Sequence, residues 1–97
     1  MAAIAVEWSA DALADLNRFA AFLRDQHPSL AQRIAREIIA KSQMLADYPR
    51  LGRPISGRAE YRQIVLQVLN AQYVFQYRYD GGRLVVLRVF HGRESRD

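Results

Sequence analysis

Cysteine is absent from the 97 residues, so neither a disulfide framework nor a thiolate zinc site can be built. Only two histidines, His27 and His91, are present, too few for a histidine-rich metal centre. No Ser-His-Asp spacing, phosphate loop or metal signature occurs, and no cofactor is expected. No apolar run approaches the roughly 18 residues of a bilayer-spanning helix, so no membrane association is expected. The start, Met-Ala-Ala-Ile-Ala-Val-Glu, lacks the basic opening of a secretory signal, which makes the cytoplasm the expected compartment. Lysine is nearly missing as well: Lys41 stands alone against thirteen arginines.

What remains is an ordinary globular balance, 51% hydrophobic and 25% charged, which fits one domain over residues 1–97. Charge is unevenly spread. Residues 1–49 carry five basic and six acidic groups, whereas residues 50–97 carry nine basic and four acidic, so the positive field belongs to the second half. Arginine's planar fork suits phosphate and carboxylate partners and tolerates interfaces better than an ammonium does. A GC-rich coding genome gives the same bias with no functional meaning.

Ile4, Val6 and Trp8 alternate with Ala5 and Glu7, the pattern of a short strand. Ser9 then offers an N-cap hydroxyl, with Asp11 and Asp15 near the positive end of a helix. Trp8 and Leu13 have the spacing of a hydrophobic staple, and Leu13, Leu16, Phe19 or Ala20, and Leu23 form the predicted apolar stripe. Pro28 ends this helix and opens a second, with Leu30, Ile34, Ile38, Ser42 and Leu45 along one face. The short connection predicts an antiparallel helical hairpin. Residues 49–57, rich in Pro and Gly, read as a rigid crossing loop, followed by strands near 60–69, 72–79 and 83–91.

The Asp80-Gly81-Gly82 turn predicts a three-residue loop pairing Tyr79 with Arg83, Tyr77 with Val85, Phe75 with Leu87 and Tyr73 with Val89. That register gathers Tyr73, Phe75, Tyr77, Val85, Leu87 and Val89 on one face. Gln76, Arg78 and Arg88 share the other with Val74, Leu84, Val86 and Phe90. The fold class is α+β, in the order β-α-α-β-β-β. A two-helix hairpin packs on one face of a small, mainly antiparallel sheet. The mixed basic and apolar face left over suits docking.

Taken in order, Val-Glu-Trp-Ser, Ala12, Asp15-Leu16, Pro28 with Ala31, Leu45 to Pro49, Leu51-Gly-Arg-Pro54, Tyr61-Arg62, Tyr73-x-x-x-Tyr77 and Val89-Phe-His-Gly-Arg93 span nearly the whole chain. On these residues the chain resembles the ParE/RelE superfamily of type II toxin–antitoxin toxins. The resemblance implies a toxin neutralised by a cognate antitoxin in a hetero-oligomer. It also implies one of two targets: DNA gyrase, bound and poisoned by ParE-like members, or the ribosome, where RelE-like members cut mRNA. Fold alone does not choose.

RelE-like nucleases place lysines on the strand before Tyr-x-x-x-Tyr, an arginine directly after its first tyrosine, and a tyrosine in the tail. Here the preceding strand has Arg62 and no lysine, Val74 follows Tyr73, and residues 94–97 contain no tyrosine. The depleted cationic set favours the gyrase reading, with no catalytic residue; the nuclease alternative would rest on His91, Arg93 and Arg62. A non-toxic basic interaction module on the same fold is the third reading.

Arg62, Arg78 and Arg88 read either as an anion-binding stripe or as charged decoration of a solvent face. Arg50 and Arg53 on the crossing loop, and Arg93 beyond the last strand, are the remaining target- or nucleic-acid-binding candidates. Tyr73, Phe75 and Tyr77 have the look of a stacking platform, but their predicted face makes them core. With a net +5 second half and a groove between hairpin and sheet, the antitoxin segment is expected to be acidic and amphipathic.

Overall fold

The computed structural model describes residues 4–93. The termini, where the sequence shows neither a basic leader start nor a tail tyrosine, lie outside the described residues. Strand β1 (Val6–Trp8) leads into α1 (Ala10–Arg24) and α2 (Pro28–Ser42), then a 3-10 turn at Gln43–Ala46. Strands β2 (Arg53–Ile55), β3 (Arg58–Val68), β4 (Ala71–Tyr79) and β5 (Leu84–His91) follow. They form one sheet in the order β1-β5-β4-β3-β2, antiparallel except where β1 lies parallel to β5.

The expected architecture is present, with one strand more than the sequence reading held. The crossing loop contains β2, which pairs Arg53 with Gln63 and Pro54 with Arg62. Proline is tolerated there because β2 is an edge strand, whose outward N–H has no ladder bond to lose.

Ser9 caps α1 as expected: its Oγ accepts the Ala12 N–H at 3.1 Å. The same hydroxyl donates to Leu87 O at 2.9 Å, and the Ser9 N–H donates to Val86 O at 3.0 Å. The start of α1 is thereby fastened to β5 where β1 ends. The buried stripe of α1 is Ala12, Asp15, Leu16 and Phe19, rotated from the predicted one; Leu13 is about half exposed. On α2, Ala31, Ile34, Ile38 and Ser42 are buried as the periodicity requires.

The β4–β5 register differs from the predicted one. Tyr79 pairs with Leu84, Tyr77 with Val86, Gln76 with Arg88, Phe75 with Val89 and Tyr73 with His91. The turn spans four residues because Asp80 Oδ1 accepts the N–H groups of both Gly82 (2.9 Å) and Arg83 (3.0 Å). A bulge at Leu87 then reverses the alternation, so Leu84, Val86 and Val89 all reach the core. Tyr73, Phe75 and Tyr77 are fully or nearly buried among them and under Leu16, Phe19, Ile34, Ile38 and Leu45. They are core, and each such side chain contributes roughly 1.5–3 kcal/mol of burial free energy.

Candidate functional site

The sheet has two faces and two ends, and the arginines singled out by the sequence are divided among them. Arg62 is paired with Tyr77, so it lies on the helix side rather than on the open face. Its Nη1 donates to Gly52 O (2.7 Å) and Arg50 O (3.1 Å), and its Nε donates to Ala59 O (2.9 Å). Arg78 is paired with Tyr61 and Val85 on the open face; it bonds Asp80 at 3.1 Å and lies 5.9 Å from the Tyr61 ring centre. Arg88, opposite Gln76, reaches round the β5 edge to Asp15, with Nε at 2.9 Å and Nη2 at 3.2 Å. The predicted stripe of Arg62, Arg78 and Arg88 is therefore corrected: the register puts Arg62 on the opposite face, and Arg88 is drawn to a carboxylate.

Asp15 was not read as part of any site, yet it is 1% exposed and holds four donors. Besides Arg88 these are Arg18 Nη1 (2.7 Å) and the Val89 N–H (2.8 Å). Burial pushes its carboxyl up, but the hydrogen bonds from Arg88, Val89 and Arg18 together outweigh that and hold it below the ordinary aspartate value. The spacing Ala12, Asp15 or Leu16, Phe19 puts Asp15 on a helical stripe, which is the signal that could have found it.

Across the centre of the open face runs an apolar row, Val65–Val74–Phe90, in direct register. Beside it runs a polar row, Arg53–Gln63–Gln76–Arg88, with Gln76 Nε2 donating to Gln63 Oε1 at 3.0 Å. Val65 is about half exposed, whereas Val74 between it and Phe90 is buried at 2% exposure.

At one end of the sheet, the turn Tyr48-Pro49-Arg50-Leu51 is closed by Leu51 N–H to Tyr48 O at 3.1 Å. The buried Tyr77 hydroxyl donates to Pro49 O at 2.8 Å and accepts the Gly52 N–H at 2.9 Å. Burial pushes that phenol's pKa up, so it stays protonated and able to donate. Gly52 must be glycine: a Cβ there would come within 2.8 Å of Tyr77 Oη and 2.9 Å of Gln63 O. Arg50 stacks 4.9 Å from the Tyr79 ring centre, and Arg53 is exposed on β2.

At the other end, His91 packs edge-on against Tyr73 (5.2 Å between ring centres), and Tyr73 in turn against Phe19 (5.3 Å). His91 Nδ1 accepts the Arg93 N–H at 3.1 Å. These residues border a groove of about 580 Å³ between the tip of the helical hairpin and the β3–β4 turn, floored by Phe19, Leu23, Ile34 and Val68. Arg18 and Arg93 are its charged lining, and Phe22 stands 75% exposed at its side. Sequence reading missed Arg18 and Phe22, which follow Asp15 and Phe19 by three residues and so share the α1 face beside the groove.

No set of three or more histidine, aspartate or glutamate side chains arranged to hold a metal lies among the described residues. Among them, no helix is long and apolar enough to cross a membrane.

A sequence model of the family described as the ParE toxin of the type II toxin–antitoxin system, parDE, matches residues 6–96. Toxin RelE1 of Caulobacter vibrioides is 31% identical over 82 residues, covering 84% of this chain and 86% of that protein. Among solved structures, a chain of the chromosomal ParDE toxin–antitoxin system of P. aeruginosa superposes with a TM-score of 0.71 at 21% identity, covering 91% of this chain and 95% of that one. A chain of the RelBE2 toxin–antitoxin complex of Mycobacterium tuberculosis gives 0.58 at 20% identity, covering 93% and 99%.

Proposed function

Because this chain belongs to the ParE toxin family of type II toxin–antitoxin systems, we propose that it inhibits DNA gyrase by binding it and that a cognate antitoxin neutralises it. The reading is carried by the separation of the groups a nuclease would need. Arg62 is opposite Tyr77 and His91 is opposite Tyr73, four residues apart on β4. At about 3.3 Å per residue those positions are roughly 13 Å apart, and the Arg62 guanidinium is already turned to the carbonyls of Arg50, Gly52 and Ala59 at the Tyr77 end, away from His91. Val65, Val74 and Phe90 hold the centre of the open face, where a phosphate cradle would need cations. A protein-binding poison has no such requirement.

The test pairs a gyrase supercoiling and cleavage assay with a ribosome-programmed mRNA cleavage assay on the same purified protein. Trapped gyrase–DNA breaks with intact mRNA support the proposal; A-site mRNA cuts with unaffected gyrase overturn it. RelE-like mRNA cleavage is the second reading. It is favoured by His91 and Arg93, which stay adjacent at the groove mouth, and by the name of the Caulobacter relative.

The groove is where an antitoxin segment fits best. Its lining is apolar with Arg18, His91 and Arg93 at its edge and no carboxylate, which suits an amphipathic helix carrying acidic groups beside apolar anchors.

A further inference from the structure

We infer that the turn Tyr48–Leu51 is a preorganised protein-binding epitope, with Tyr48 and Leu51 as apolar anchors and Arg50 and Arg53 as flanking cations, made for a partner surface that offers a shallow apolar pocket rimmed by carboxylates. The inference rests on the proposal that the chain acts by binding a protein target, and it assigns the face that meets that target.

Tyr48 is 64% exposed and Leu51 52% exposed, and the hydrogen bond between them places their Cα atoms within about 7 Å at the two ends of one β-turn. Two large apolar side chains side by side on a surface turn are a different matter from scattered exposed residues. Tyrosine and arginine are also the types that carry binding energy when an interface closes over them.

The turn is held from beneath with unusual completeness. Pro49 O and the Gly52 N–H are both bonded to the Tyr77 hydroxyl, while Arg50 O and Gly52 O are both bonded to Arg62 Nη1. Tyr77 is itself fully buried, so the turn is tied directly to the core of the sheet. A loop ordered before binding loses less conformational entropy when bound. Tyr77 and Arg62 are thus positioning residues for an epitope they do not enter.

Charge chooses the partner's character. The ionisable side chains of residues 47–55 are Asp47, Tyr48, Arg50 and Arg53, so the two cations outnumber the one acid, and the Arg50 guanidinium stacks on Tyr79 beside the turn. An acidic rim on the partner complements both. The epitope is also distinct from the groove: it is anchored at Tyr77, whereas the groove borders Tyr73, about 13 Å away along β4.

The experiment measures binding of purified gyrase to the immobilised full chain, for the parent and for Tyr48→Ala, Leu51→Asp, Arg50→Glu and Tyr77→Phe, each with its melting temperature. Loss of an anchor should weaken affinity about 10-fold or more at unchanged melting temperature. Arg50→Glu should act mainly on the association rate and weaken the salt dependence. Tyr77→Phe, with both anchors in place, should weaken binding about 3-fold or more, an effect that a purely structural role would not produce once the folded fraction is accounted for. Hydroxyl-radical footprinting of the parent complex needs no variant and should show Tyr48 and Leu51 protected. Parent binding with unprotected Tyr48 and Leu51, or with affinity unchanged in folded Tyr48→Ala and Leu51→Asp, overturns the epitope and leaves the gyrase proposal standing. A parent chain that does not bind gyrase overturns both.

Discussion

Asp15 on α1 and Arg88 on β5 are joined by two hydrogen bonds, Oδ2 to Nε at 2.9 Å and Oδ1 to Nη2 at 3.2 Å, across 73 residues of sequence. The same carboxylate takes the Val89 N–H, a donor on the edge of β5 that β1 is too short to reach. One side chain therefore continues the work of a missing strand and fastens the helical hairpin to the sheet.

Asp15→Asn should destabilise the fold by about 2–3 kcal/mol, because the amide cannot accept from both arginines and the buried Val89 N–H at once. The cost stays below that of a fully buried pair because Arg18 and Arg88 are each more than 40% exposed and can hydrate. Chemical denaturation of parent and variant measures it; a change under 0.5 kcal/mol would show that Asp15 is not a tether.

Acid should unfold the chain through its depressed carboxyls. Asp15 lies below its ordinary value for the reasons given above, and Asp80 is held down to about 2 by the Arg83 and Gly82 N–H groups and by Arg78. A carboxyl depressed on folding binds fewer protons in the folded state than in the unfolded one. Its stabilisation is thus complete above the unfolded value of about 4 and lost as pH falls through the folded value. Unfolding free energy measured between pH 7 and 2 should be flat with respect to these groups to about pH 5 and fall below 4, with a shallower fall in Asp15→Asn.

Gly52→Ala should cost about 1–3 kcal/mol, since the added methyl meets the Tyr77 hydroxyl and Gln63 O at under 3 Å and neither can retreat far. Tyr77→Phe should cost about 1–2 kcal/mol by stranding Pro49 O and the Gly52 N–H. The two changes act on one contact, so the double variant should lose less than the sum, a cycle that thermal or urea unfolding can read.

His91→Ala separates a nuclease from a binder. A proton-transfer group would slow mRNA cleavage about 10²–10⁴-fold on removal. A histidine packed on Tyr73 would cost only about 1 kcal/mol of stability and leave growth inhibition intact. The second outcome is expected, measured as growth arrest and A-site mRNA cuts on induction of parent and variant.

The groove predicts its own pattern. Phe22→Ala should raise the antitoxin Kd about 10-fold or more, whereas Arg93→Glu should chiefly slow association and reduce its dependence on salt. Stopped-flow or surface plasmon resonance at two ionic strengths distinguishes the two. An antitoxin whose association ignores salt would argue against a charged groove edge.

Much of the fold was legible in the residues alone, because helix caps, breakers and periodicity act over a few positions. Ser9 before a helix, Pro28 at a helix start and the Ile34–Ile38–Ser42 stripe needed no knowledge of distant contacts. The alternation that sets Tyr73, Phe75 and Tyr77 on one face of their strand likewise marked them as core. The β4–β5 register was not legible: Asp80 lengthens the turn and the bulge at Leu87 reverses the alternation, and neither device leaves a period-2 signature.

The candidate site divides along the same line. Sequence by itself determined the helical hairpin on a mainly antiparallel sheet, the excess of positive charge in the second half, and the candidacy of Arg50, Arg53 and Arg93, all of them properties of composition and local spacing. Tertiary structure alone decided which arginines face which partner. Arg62 turns to backbone carbonyls of the Tyr48–Leu51 turn, Arg88 to a carboxylate 73 residues away, and Arg18 to the edge of the groove. The physical reason is range: a hydrogen bond or ion pair acts over about 3 Å in space, and folding brings together residues whose separation in sequence carries no trace of that distance.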